Sequence, residues 1–156
     1  MKVKTYISTS FTGQNSLQKN DCAIRAAVNA TGIDYQTCDI VLQKYGKKAN
    51  KGSASATVVQ AYRDLGLNLV SVHGSTSASC AYRRNSRLLN SDFLCTTGIE
   101  KGISYAKLIE SDKLKNGNYV VVVTGHAIAV INGIPVDTFR TSGAKSVVAI
   151  FKFGTN

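Results

Sequence analysis

The sequence predicts an α+β fold, built as a single domain over residues 1–156. Three observations predict it. Helix-type spacing of apolar residues fills much of the stretch up to residue 66, whereas strand-type runs dominate from residue 118 onward. The two kinds of segment do not alternate, as they would around a parallel sheet. An Asn-Gly pair at 132–133, the strongest two-residue hairpin signal, joins two of the apolar runs and makes the sheet antiparallel. With 44% hydrophobic and 18% charged residues in a chain of 156, there is enough apolar surface for one core.

The first helix is predicted over 20–32, "NDCAIRAAVNATG". Asn20 or Asp21 can cap it and Gly32 ends it. Its residues are apolar on nearly every side, which suits a central, buried helix. A second helix follows over 34–46, with Asp34 as N-cap and Gly46 as stop, and a third over 53–66. A short strand is expected over 67–72. Residues 73–100 are rich in Ser, Asn and Arg and carry no clear period beyond one short strand near Phe93 to Cys95. They read either as a substrate-binding insertion or as a surface excursion, which their polarity favours, with His73 as a surface residue. A short helix over 104–111 leads into strands at 118–125, 126–131, 134–139 and 145–153.

The net charge of +10 favours solubility and non-specific contact with nucleic acid or acidic surfaces. The densest basic groups, at 44–51 and 82–87, lack the regular aromatic interleave of a nucleic-acid reader. No apolar run approaches ~20 residues, so no membrane partner is expected. The N-terminal stretch has no apolar signal-peptide core. Cysteines at 22, 38, 80 and 95 form no CxxC pair and have no nearby histidine pair. The expectation is therefore no metal, no cofactor and free thiols in a reducing, cytoplasmic compartment.

The stretch "GHAIAVINGIPVDTF" (125–139) sets one of only two histidines and one of nine acidic residues on either side of the Asn-Gly turn. With Asn132 and Gly133 as a type I′ turn, Ile131 faces Ile134, Val130 faces Pro135 and Ile128 faces Asp137. His126 then shares a face with Asp137 as its diagonal neighbour, about 7 Å away along the backbone and within side-chain reach. A carboxylate there fixes the imidazole tautomer and favours its charged form. The same spacing also suits a strand-end histidine beside a solvated aspartate. Asn132 is a reserve orienter, poorly placed in the turn itself.

An Asp–His pair is half of a nucleophilic constellation. Cys22, in the first turn of the first predicted helix, is the cysteine placed to complete it. Unpaired backbone N–H groups and the helix dipole favour a thiolate there. Cys38 falls mid-helix, and Cys80 and Cys95 fall in the unassigned middle. The bland role for Cys22 is that of a small buried residue.

Taken together, "NDCAIRAA", "GHAIAVI" and "IPVDTF", in the order Cys, His, Asp, resemble the papain-like cysteine peptidase superfamily. The nearest likeness is to the bacteriocin-leader-peptidase branch, where Asp often precedes the Cys, and to small phage and bacterial papain-like proteins. The likeness covers roughly residues 14–66 and 118–139. It implies a papain-like fold, with the Cys22 helix packed on a C-terminal antiparallel sheet, and a cysteine peptidase acting on a protein or peptide substrate. Cys22 would be the nucleophile, His126 the base and Asp137 its orienter. The position six before Cys22, where the family carries its oxyanion glutamine, is Ser16, so Gln18 is the first substitute and Asn20 the second, with Gln14 behind them. Acyl transfer would use the same constellation. Two other readings stand beside this one: a catalytically degenerate papain-like protein whose basic surface binds nucleic acid or an acidic protein, and a phage particle component. The sequence gives no oligomeric state.

Overall fold

The computed structural model describes residues 7–8, 20–88, 103–137 and 141–154. Along the chain come β1 (Ile7–Ser8), α1 (Cys22–Thr31), α2 (Tyr35–Lys44), α3 (Ser55–Asp64), β2 (Leu67–Val72), α4 (Ser77–Leu88), α5 (Tyr105–Glu110), β3 (Asn118–Val123), β4 (His126–Ile131), β5 (Ile134–Asp137) and β6 (Val147–Phe153). The α+β class and the antiparallel C-terminal sheet are as expected. One sheet holds the strands in the order β1-β5-β4-β3-β6-β2. All neighbours are antiparallel except β1, which runs parallel to β5 and was not foreseen.

Both faces of the sheet are buried. One face, with Val120, Ala127, Ala129, Val136, Ala149 and Phe151, packs beneath α1, α2 and α3. The other, with Val121, Val123, Ile128, Val130 and Ile150, is covered by α5 and the chain around it through Ile103, Tyr105, Leu108 and Leu114. This is why "VVVV" and "AIAVI" read as continuous apolar runs instead of alternating ones.

The central helix α1 buries Ala23, Ile24, Ala26, Ala27 and Ala30. Its small side chains meet Ala127 and Ala129 of β4, so helix and sheet backbones approach closely. Gly32 ends α1 in the left-handed conformation (φ 78°), and its N–H donates to Val28 O. Asp34 caps α2, its Oδ2 accepting the Thr37 N–H at 3.2 Å. From α3, the buried Tyr62 hydroxyl donates to Ala23 O at 2.6 Å, while its ring meets Phe151 edge-on at 4.9 Å. That contact ties α3 to the residue after Cys22.

Two expectations for the middle of the chain need correction. Residues 77–88 form α4 and not an irregular excursion. Its start is fixed by Thr76, whose Oγ1 accepts the Ser79 N–H at 3.2 Å. Its anchor is Tyr82, which lies edge-on to Phe151 at 6.0 Å. His73 is not a surface residue. It is 1% exposed, its Nε2 sits 2.9 Å from Ser71 Oγ, and its Nδ1 has no hydrogen-bond partner among the described residues. The strand expected near Phe93 to Cys95 lies outside the described residues, as does the end of the strand expected over 134–139. Lys47, counted in the basic run at 44–51, is 4% exposed and its Nζ donates to Lys48 O at 3.2 Å, so it belongs to the packing. Among the described residues no helix is long and apolar enough to cross a membrane.

Candidate active site

The hairpin between β4 and β5 takes the expected register. Asn132 and Gly133 both have positive φ, 49° and 83°, as a type I′ turn requires. Ile131 pairs with Ile134, Val130 with Pro135 and Ala129 with Val136. β1 pairs with β5 at Val136 and Asp137, one residue past Pro135, so the missing proline N–H interrupts no ladder. His126, the first residue of β4, and Asp137, the last of β5, end up diagonal to each other. His126 Nε2 and Asp137 Oδ2 lie 2.6 Å apart, with both side chains largely buried. Asn132 is elsewhere: its Oδ1 accepts the Gly117 N–H at 3.1 Å, so it is not the orienter.

Strand parity groups His126 with Ile128 and Val130, on the face away from α1. Its place at the very start of β4, after the turn through Thr124 and Gly125 (φ 77°), lets the ring meet a group on the helix side. That group is Cys22. The thiol hydrogen-bonds the His126 ring and the Ala127 backbone N–H. With Nε2 held by Asp137, the other ring nitrogen is the one left for sulfur. The structure thus brings together Cys22, His126 and Asp137, three residues drawn from α1, β4 and β5.

The electrostatics follow from these contacts. Burial pushes the Cys22 thiol up, but the His126 hydrogen bond and charge, the Ala127 N–H and the Arg25 guanidinium outweigh it and hold the thiol below its ordinary value. Burial likewise opposes charge on His126, yet Asp137 and Cys22 raise its pKa to about 9. Both shifts favour a thiolate–imidazolium pair. Cys38 is the contrast: burial first, then the Asp34 charge, push its thiol up to about 12.

The start of α1 is not capped as the sequence suggested. Asp21 occupies the N-cap position without a side-chain cap bond, and Asn20 stands one residue before it. The Asp21 carboxylate, 4% exposed, accepts the Tyr35 hydroxyl at 2.8 Å and pairs with Arg25 Nε at 2.8 Å. Asn20 (φ 57°) donates through Nδ2 to Asn50 O at 3.1 Å. No side chain of these two shields the first-turn N–H groups behind Cys22.

Cys22 and His126 open onto a cleft of about 470 Å³. Its walls come from Asn20 and α1, the loop at Gly52 and Ser53, the start of α3, the start of α4 and the turn at 124–125. Of the two leading oxyanion candidates, Asn20 lines this cleft, while Gln18, with Gln14 and Ser16, lies outside the described residues. Among the described residues no three His, Cys, Asp or Glu side chains gather as a metal centre would require. Sequence reasoning missed the α4 wall, for which the Thr76 cap and the spacing of Ala78 and Tyr82 were the available signal. It also missed the Asp21–Tyr35–Arg25 cluster, which had no local signal. No family model, no curated protein and no solved structure matches the chain.

Proposed function

We propose that the protein is a cysteine-dependent acyl hydrolase of papain-like architecture, cleaving peptide or isopeptide bonds. The observation that carries this reading is the continuous hydrogen-bonded path from the Cys22 thiol through His126 to Asp137 at the mouth of a cleft. A buried structural cysteine would have no need of a charged imidazole, and a surface histidine would have no need of a buried carboxylate.

The Cys22 thiolate attacks the acyl carbon and a C–S bond forms. The carbonyl π pair moves to oxygen, where the Cys22 backbone N–H and a second donor, Gln18 or Asn20, receive the negative charge. As the oxyanion collapses, the C–N bond breaks and His126 gives its proton to the leaving amine. Neutral His126 then takes a proton from water, hydroxide adds to the thioester, and the acid product leaves with the thiol restored as the thiolate–imidazolium pair. Asp137 holds the ring in one tautomer and stabilises its charged form throughout. An amine in place of water would give acyl transfer by the same steps.

The test is incubation with N-acyl peptide coumarin amides, followed by intact-protein mass spectrometry. The expected result is release of fluorophore with an acyl adduct on Cys22, both lost in Cys22→Ala. Fluorophore release that survives Cys22→Ala overturns the reading. The charge of +10 supports a second reading, a basic-surface binder. That reading expects salt-sensitive binding to nucleic acid or an acidic protein that Cys22→Ala leaves intact.

A further inference from the structure

We infer that Tyr82 is a substrate-contacting residue of the cleft, its ring forming an apolar seat for an uncharged side chain beside the scissile bond and its hydroxyl hydrogen-bonding the substrate backbone. The inference rests on the hydrolase reading of Cys22 and adds the residue and the chemistry that select the substrate.

Tyr82 reaches the cleft from α4, and His126 reaches it from the start of β4. It is 6% exposed, and its ring is held edge-on to Phe151, so its position is set by the core. Its hydroxyl makes no hydrogen bond among the described residues. The hydroxyls of Tyr35, Tyr45, Tyr62 and Tyr119 all donate, to Asp21, Asp64, Ala23 O and Asn116 O, and Tyr105, which shares the lack of a partner among the described residues, does not line the cleft. The Tyr82 hydroxyl is not fully enclosed, so a group in the cleft can reach it. Tyr82 lines the same cleft as Cys22, close enough for the thiolate charge to act on it. Burial first, then that charge, push its phenol well above its ordinary value, so it stays a protonated donor.

Among the described residues the cleft lining carries no Lys, Arg, Asp or Glu. In a chain of net charge +10 this is a specific feature of the cleft and not of the surface at large. Val58, Val122 and Val148 line it beside Tyr82, so a charged side chain entering it would lose its hydration and meet only the Cys22–His126 pair, whose opposite charges offset each other. An apolar or small neutral side chain would be accepted, with the Tyr82 hydroxyl meeting the adjoining backbone carbonyl.

The test uses peptidyl vinyl sulfones that differ only in the side chain next to the electrophile, Ala, Leu, Lys or Asp, with iodoacetamide as a minimal probe. Adducts are counted at Cys22 by mass spectrometry. In the wild-type protein the Ala or Leu probe should react at least about tenfold faster than the Lys and Asp probes. Tyr82→Phe should slow the faster probe by about 3–10-fold, the worth of one neutral hydrogen bond, and leave the iodoacetamide rate unchanged. Equal rates across the four probes, or an unchanged peptidyl rate in Tyr82→Phe, would overturn the inference. Slow iodoacetamide labelling of Cys22 in the wild-type protein would instead remove the hydrolase reading beneath it. The wild-type probe ratios stand independently of how well the variant folds.

Discussion

His126 Nε2 and Asp137 Oδ2 stand 2.6 Å apart, joined through one two-residue turn and eleven positions of chain. The hairpin register makes them diagonal neighbours, and no longer loop is needed to bring them together. The bond fixes which ring nitrogen remains for Cys22, and it supplies the carboxylate that keeps His126 charged beside a thiolate.

Asp137→Asn tests that bond. The amide keeps the shape and loses the charge, so the His126 pKa falls from about 9 toward its ordinary value. Turnover should drop by about 10²–10⁴-fold, with an unchanged fold by circular dichroism. A loss of less than about threefold would show that Asp137 does not orient the base.

The pH dependence of acylation follows from the two shifts. The active pair requires a deprotonated thiol and a protonated ring. Activity should therefore rise as Cys22 loses its proton, below its ordinary 9.0, and fall as His126 loses its proton near pH 9. Stability carries the same signature. The His126 value is raised on folding, so its contribution is fully present below the unfolded value of 6.5 and is lost as pH rises through about 9. Single-turnover rates from pH 5 to 10 check the first claim, and a bell whose alkaline limb falls near 6.5 contradicts it.

His73 should limit stability in acid. Burial first, then the charges of Arg83 and Lys113, hold it down to about 4. Ser71, which contacts its Nε2, carries no charge to offset them. The folded protein keeps His73 neutral while the unfolded chain takes up a proton, so stability is full above pH 6.5 and falls as pH drops toward 4. The loss is on the order of 2–3 kcal/mol across that window. Urea unfolding at pH 7 and pH 4.5 should show this fall in the wild-type protein and a smaller fall in His73→Gln. Equal falls would assign the acid sensitivity to other groups.

Tyr62→Phe removes the hydroxyl that donates to Ala23 O and keeps the ring against Phe151. Stability should fall by about 1 kcal/mol, the net value of one buried hydrogen bond, measured by urea unfolding. No change would mean that the α3 contact contributes nothing to holding the turn after Cys22.

The Cys22, His126 and Asp137 juxtaposition was legible because each residue sits on an element with a strong local rule. An Asn-Gly turn sets strand parity, and an Ala-rich run ending in Gly sets α1. The α4 wall was not legible, since "SASCAYRRNSRL" has few apolar residues and owes its position to Tyr82 packing on Phe151. β1 escaped notice because a two-residue strand has no pattern of its own and exists only by pairing with β5. Asp21 was read as a cap because its bond to Tyr35, fourteen positions on, is a tertiary contact that local spacing does not reveal. His73 was read as exposed because it follows β2 into a Ser-rich stretch, yet its N–H still donates to Val148 O and keeps it under the sheet's cover.

The most direct test of the central claim is the pH dependence of Cys22 alkylation by iodoacetamide, followed peptide by peptide in the wild-type protein and in His126→Ala. In the wild-type protein Cys22 should titrate below 9.0 and, at pH 7, react at least about tenfold faster than Cys38. In His126→Ala its titration should move upward and its rate at pH 7 should fall. A Cys22 that titrates at or above 9.0 in the wild-type protein and is indifferent to His126→Ala would contradict the thiolate–imidazolium pair on which the proposed chemistry depends.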